Sequence, residues 1–398
     1  MPIETTAETA TTTPNVAPAH QHDGHAVPEQ SRADRTTSYN PDDFAVPHGR
    51  EEEWRFTPLD RLRGLLTTTP TPHPAPTTHG DQRVRHETTT REDARTRATA
   101  GLPADRAAAL AEESCDQVTL LTLPTETELT EPFYLRQEGK GTTGPTAGHT
   151  VIHAEPFSTG TVVLHFTGRA TLTDRVEVVA QDGAQLTIVT IHEWDEDTVH
   201  LSEHDVLLGR DATVRHITAT LGGNLVRQGT NARYTGPGGT FEGLGVYFAD
   251  DSQHIEHRLF VDHSVPRCTS NVVYKGALQG ETAHTVWVGD VLIRAAAEGT
   301  DTYELNRNLV LTDGARADSV PNLEIETGEI VGAGHASATG RFDDEQLFYL
   351  MARGIPEAEA RKLVVRAFFG EIVQKIGIPE ISEHLMSAVD DELAKAGS

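Results

Sequence analysis

From residue 117 to about residue 335 the chain either alternates apolar and polar positions at a spacing of two or gathers β-branched residues into short runs. Examples are Thr161–Phe166, Arg175–Ala180, Leu186–Ile191 and Leu259–Asp262, with Gly, Asp and Asn between them. Successive strand residues point to opposite faces, so this period predicts short strands joined by tight turns, about eighteen of them. No stretch within the region sustains an apolar period long enough for the crossover helices of a parallel α/β sheet. A sandwich, a barrel and a solenoid remain open. One continuous β region with only 6% aromatic residues overall favours a β-helix, although no strict repeat marks its coils.

The flanks follow other patterns. Trp54, Phe56, Leu59, Leu62, Leu65 and Leu66 fall near helical spacing around Arg61 and Arg63, which predicts a short docking helix. Residues 103–114 (PADRAAALAEES) place Pro103 at a first turn and alanines behind it, predicting a second helix before the strand at Val118–Leu123. Between them Thr67–Thr78 (TTTPTPHPAPTT) favours extended, unpaired backbone and reads as an exposed linker. Residues 1–48 show no period and cannot bury enough apolar surface to offset chain entropy, so a disordered tail is expected, with no role for His20, His22 and His25.

After the β region, Asp343–Gln346 offers an N-cap with Gln at the capping-box position, and Gly354 supplies a left-handed stop. Pro356 opens a second helix with Leu363, Val364, Ala367, Phe368, Ile372 and Ile376 on one face, ended by Gly377 and Pro379. Ile381, Leu385, Ala388, Val389 and Ala394 suit a last amphipathic helix. The expected division is a tail over 1–48, a helical and linker region over 49–116, a β-core over 117–338 and a C-terminal helical domain over 339–398.

Charge narrows the function classes. Sixty acidic against 33 basic residues give a formal net charge of -27, a surface that repels nucleic-acid phosphates and anionic lipid head groups. The opening MPIETTAETA lacks a basic and an apolar segment, and no run of about 18 apolar residues occurs, so a soluble cytoplasmic protein is expected. Cys115 and Cys268 are too few for a disulfide framework or for a cysteine-only zinc or cluster site.

Catalytic motifs are absent: there is no GxxxxGK[ST], no GxSxG and no HExxH. Paired acids such as Asp250 and Asp251 are similar to those of β-helix carbohydrate enzymes, but neighbours on a strand point apart. His257 and His263 share a strand face that His254 does not, so the three read as surface or rung-edge histidines. His192, His200 and His204 beside Glu193, Asp195, Glu196 and Asp197 offer divalent-cation ligands, yet scattered polar residues at turns explain them more cheaply.

Pro321-Asn322-Leu323-Glu324-Ile325, then Gly334-His335-Ala336-Ser337-Ala338-Thr339-Gly340, Gln346-Leu347-Phe348-Tyr349-Leu350 and Arg353-Gly354-Ile355, follow in an order that resembles the C-terminal signature of the SufB and SufD proteins of iron–sulfur cluster assembly. Asp262-His263, Pro266, Ser270, Tyr274-Lys275-Gly276 and Asn306-Arg307-Asn308-Leu309 extend the likeness upstream, and Arg50–Thr57 is similar to an element near the start of SufD-type chains. The resemblance implies a mainly β protein with a right-handed parallel β-helix core between a helical N-terminal part and a C-terminal helical domain. It further implies a non-catalytic scaffold subunit that pairs with SufB and docks the ABC-type ATPase SufC.

The cysteine that SufB-type chains carry before the proline-containing strand aligns with Asn306, and Gly334 replaces the Glu ahead of the family His. SufD is thus the nearer type. Ala333 stands where many SufD-type chains have a cysteine. What remains implied is His335 as a ligand to a transient iron–sulfur cluster shared with the partner, neutral imidazole being a competent iron ligand. Arg353, Gly354, Ile355, Leu363, Val364, Phe368 and Phe369 are the implied ATPase-docking surface. A purely structural paralogue and a β-helix carbohydrate-active enzyme are the alternatives.

Overall fold

The computed structural model describes residues 35–141, 144–342 and 344–395. From Gln117 the chain coils, each strand pairing in parallel with the next but one: Val199 aligns with Leu225, Leu225 with His254, and His254 with His284. Two sheets result, one running from Gln117–Leu123 to Arg316–Ile325, the other from Phe133–Lys140 to Gly332–Arg341. The protein is a parallel β-helix, as the helix-free pattern predicts. Inward positions such as Val178, Ile188, Val214 and Val261 form its lumen core, where a fully buried aliphatic side chain contributes about 1.5–3 kcal/mol.

Successive coils meet at a repeated corner. Glu126, Phe157, Gly183, Asp211, Gly238, Arg267 and Gly299 all have φ between 54 and 82°. The corner amides bridge to the next coil: Phe157 N–H donates to Asp182 O at 3.0 Å, Gly183 N–H to Arg210 O at 2.8 Å, and Asp211 N–H to Pro237 O at 3.0 Å. A left-handed residue in each of these seven successive coils is a structural repeat of 26–32 residues. Four different non-glycine side chains hide it in the sequence.

Both sheets are also covered outside. Trp54, Leu62, Leu65 and Leu66 pack on Val199, Leu201 and Leu225 of the first sheet. They do so from turns and one 3-10 turn (Leu59–Arg61), not from the α-helix expected there, because Arg63 and Gly64 both adopt positive φ and break the period. α1 (Arg91–Arg97), which the pattern missed, is capped by Thr90, and α2 (Arg106–Ser114) is the predicted second helix, capped by Asp105. Of the expected tail, residues 1–34, with His20, His22 and His25, lie outside the described residues. Arg35–His48 differ from that expectation: Arg35 donates to Asn231 Oδ1 at 3.0 Å and its guanidinium covers the Phe260 ring.

The second sheet is covered by the C-terminal helices α3 (Asp344–Ala352), α4 (Glu357–Gln374) and α5 (Pro379–Lys395). Val189, Ile217, Leu244 and Phe248 on the sheet meet Phe369, Ile372, Val373 and Leu385. The buried stripe of α4 is Ala360, Val365, Phe369, Ile372 and Val373, rotated from the face expected through Leu363, Val364, Ala367 and Phe368. Gly354 has the left-handed conformation the sequence calls for, with φ +86°. Pro379 opens α5 more than it ends α4, and the cap proposed at Asp343 lies outside the described residues.

The two ends differ. Arg85–Thr90 and Thr77–Gly80 pair antiparallel onto the first strand of each sheet, and Thr71 N–H donates to Pro145 O at 3.1 Å. The Pro/Thr tract is therefore a strap across the first coils and not the unpaired linker expected, since its threonine and histidine amides still pair between prolines. Behind the strap lies a cavity of about 500 Å³ that reaches Cys115, His149 and Phe166. At the other end Arg316–Ile325 and Gly332–Arg341 are the last strands of their sheets, with no strand beyond them among the described residues.

Candidate functional site at the open end of the β-helix

On Asp301–Val310, Thr302, Glu304, Asn306 and Asn308 are buried while Tyr303 and Arg307 are exposed, so the even residues line the lumen. The last strand continues that row: His335 stands over Glu304, Ser337 over Asn306 and Thr339 over Asn308. Nothing described lies above them, and all three are exposed. His335 is thus an inward-facing residue left exposed at the end of the coil, between the small residues Gly334 and Ala336.

Beneath it the lumen is polar. Asn306 Nδ2 donates to Tyr247 Oη at 2.9 Å, Tyr247 donates to Asn308 Oδ1 at 2.7 Å, and Asn308 donates back to Asn306 Oδ1 at 2.8 Å. Ser319, from the facing sheet, donates to Asn306 Oδ1 at 2.5 Å. Asn306, where the resemblance implies a cysteine in SufB-type chains, is therefore the centre of an amide network and offers no thiolate. Glu304 has neither carboxylate oxygen hydrogen-bonded among the described residues, and burial, reinforced by the charge of Asp290, pushes it up to about 8. It is a neutral acid at pH 7 and puts no fixed charge under His335. Sequence reasoning missed Glu304; its signal was four polar residues in a row at inward spacing on one strand.

Of the histidines expected at the surface, His254 faces outward but is buried beside Glu256 at 3.2 Å, and the other two lie inside. His257 and His263 do share the inward face of their strand, and His192, His200, His204 and His216 join them in the lumen, all essentially unexposed. His204 Nδ1 and His216 Nε2 are 2.8 Å apart, and Thr220 Oγ1 lies 3.2 Å from both His192 Nδ1 and His257 Nε2. Burial lowers His216 to about 4 and His257 to about 3, so both are neutral. His192 and Glu193 point to opposite faces, so the suggested cation cluster around them does not form. Asp250 and Asp251 sit in a turn, where Asp250 accepts from Gln279 and Asp251 from Thr282, which removes them from any paired-acid role. Both thiols are buried, and burial raises Cys115 to about 12, far from a reactive thiolate.

The docking residues separate. Arg353 and Gly354 are exposed, Leu363 is 48% exposed, Ile355, Val364 and Phe368 are half-buried, and Phe369 is fully buried in the helix–sheet core. Phe369 is corrected from surface to core. Phe348 and Tyr349 of α3 are also exposed, 73% and 56%, and the resemblance did not single them out as contacts. Tyr274-Lys275-Gly276 serves structure: Lys275 donates to Phe368 O at 3.0 Å and pairs with Glu371, while a Cβ on Gly276 would meet the Tyr247 ring at 2.0 Å.

Fold and site together define a parallel β-helical protein with one strapped end and one open, histidine-bearing end. Residues 135–368 match the family model described as the SufBD core domain of the SUF iron–sulfur cluster assembly system. An iron–sulfur cluster assembly SufBD family protein of Mycobacterium bovis is 55% identical over 364 residues, covering 89% of this chain and 91% of its own, and one of Mycobacterium leprae is 52% identical, covering 89% and 93%. The SufD of Escherichia coli is 26% identical over 58% of this chain and 52% of its own. The chain belongs to the SufBD family of iron–sulfur cluster assembly proteins. No described helix is long and apolar enough to cross a membrane.

Proposed function

We propose that this chain is the SufD-type scaffold subunit of a heteromeric assembly complex, pairing with a SufB-like subunit through its open end and binding a SufC-like ATPase through its C-terminal helices. The observation that carries the reading is the asymmetry of the ends. Antiparallel strands cover the first strand of each sheet at the strapped end, whereas at the open end no strand among the described residues pairs with the outer edges of the last two strands beside His335. Soluble proteins rarely leave such an edge without a partner, and strand addition supplies one.

A transient iron–sulfur cluster is the cargo of this interface. His335, as neutral imidazole, offers one nitrogen to iron, and the thiolates come from the partner, since Asn306 and Ala333 stand where thiols would serve. Neutral Glu304 and the amide network hold the floor rigid without repelling anionic cluster sulfide. The ATPase acts on α3 and α4; α4 packs on the sheet whose last strand bears His335, so a shift of the module reaches the site through that sheet. The chain itself catalyses no reaction in this account.

Anaerobic reconstitution with SufB-like and SufC-like partners, with and without this chain, tests the proposal. Cluster absorbance that depends on the chain and on His335 supports it. Dependence on the chain but not on His335 favours a purely structural paralogue, and no dependence removes the scaffold role.

A further inference from the structure

On the flank of the second sheet, far in sequence from the open end, three ligand-bearing side chains converge. His165 projects outward from Thr159–Arg169, and Glu193 is its diagonal neighbour on the adjacent strand, where Thr167 is the residue aligned with Glu193. His384 reaches them from α5, nearly two hundred residues later. His165 Nε2 lies 2.6 Å and His384 Nε2 2.8 Å from the Glu193 carboxylate, and the donor atoms of all three are within 4.8 Å of one another. We propose that His165, Glu193 and His384 form a site for a first-row divalent cation of the zinc type, which clips α5 to the β-helix.

Two imidazoles and one carboxylate are a recurrent ligand set for such ions, and they are the minimum protein complement of a site that keeps a water position. Ligand atoms around a tetrahedral ion at about 2.0–2.1 Å lie about 3.3 Å apart. The two imidazole–carboxylate separations need to widen by only a fraction of an ångström, and the imidazole nitrogens already lie within 4.8 Å of each other. His384 can supply that movement, because its side chain is 52% exposed, against 24% for His165 and 20% for Glu193. The exposed side leaves room for water as a fourth ligand.

A second convergent trio, Glu112, His149 and Glu177, makes an instructive contrast. It is fully buried, and the guanidinium of Arg175 already occupies its centre, bonded to Glu112 and 3.4 Å from Glu177. Among the described residues no Lys or Arg pairs with Glu193: the two imidazoles meet the carboxylate as hydrogen-bond partners, and an ion takes the place of those two hydrogen bonds. The clip is independent of His335 and of any partner chain.

The test uses the full chain carrying His20, His22 and His25→Ala, so that the histidine-containing N-terminal stretch does not compete. Zn²⁺ titration and the visible d–d bands of Co²⁺ are compared for this background, His384→Ala, His165→Ala and His335→Ala, with circular dichroism as the folding control. One binding event with tetrahedral or five-coordinate Co²⁺ bands is expected, weakened at least about tenfold by His384→Ala or His165→Ala and unchanged by His335→Ala. A chelator should lower the melting temperature of the background but not that of His384→Ala. Absence of binding in the background, or equal binding after both histidine substitutions, overturns the site; the hydrogen-bonded clamp would then be its whole role.

Discussion

Burial leaves Glu304 with a carboxyl group that no neighbour neutralises, and this has a measurable consequence. Its value rises from 4.5 in the unfolded chain to about 8 in the fold. Between those limits the native state keeps a proton that the unfolded state releases, so the contribution is fully present below 4.5 and is lost as pH rises through about 8. Glu304→Gln should flatten that alkaline decline, narrowing the melting-temperature difference between about pH 5 and about pH 8.5 relative to wild type; an unchanged profile would contradict the buried-acid assignment. The lumen histidines act in the other direction, since His216 and His257, lowered to about 4 and 3, withdraw stability as pH falls below the ordinary histidine range. Arg175 is the opposite case, a fully buried charge paired with Glu112, Glu177 and Asp205, where Arg175 and His149 hold Glu177 at about 2 against its burial. Arg175→Ala should cost about 3–5 kcal/mol in denaturant unfolding, because the buried Glu177 and Asp205 lose their guanidinium while Glu112 keeps only Arg95.

At the scale of elements, the period of two carried most of what was legible. It placed His257 and His263 on one face and His254 on the other, and it excluded crossover helices. It could not say which face is inside, because both faces of the strand His254–His263 in the first sheet are buried, one by the lumen and one by the N-terminal segment, where Thr57 donates to Glu256. That is why histidines expected at the surface turned out to be internal. The coil corner was illegible because Glu126, Phe157, Asp211 and Arg267 occupy the left-handed position that glycine takes elsewhere. On α4 the helix was correctly expected, but its face was misjudged by about one residue, which exchanged Phe369 for Phe368. Two substitutions separate the roles: Phe369→Ala should lower stability by about 3–5 kcal/mol, whereas Phe348→Asp with Leu363→Asp should leave the melting temperature nearly unchanged and abolish capture of the ATPase. Retained capture by the double variant would move the docking surface elsewhere.

The whole molecule is a rod with unequal ends, and the proposed function rests on that inequality. The strap over the first coils was hidden in a Pro/Thr tract that reads as linker, while the open end was legible through the family-like residues around His335. What sequence spacing could not show was the polar floor below, nor the meeting of His384 with His165 and Glu193, because only the coiling brings those strands and that helix together. The central claim is that His335 at the open end serves the cluster. Its most direct test is anaerobic cluster formation in the complete complex with His335→Ala, read by the charge-transfer absorbance of the iron–sulfur centre. The His335→Ala complex should assemble with normal stoichiometry but form several-fold less cluster; cluster formation equal to wild type would remove the ligand role of His335.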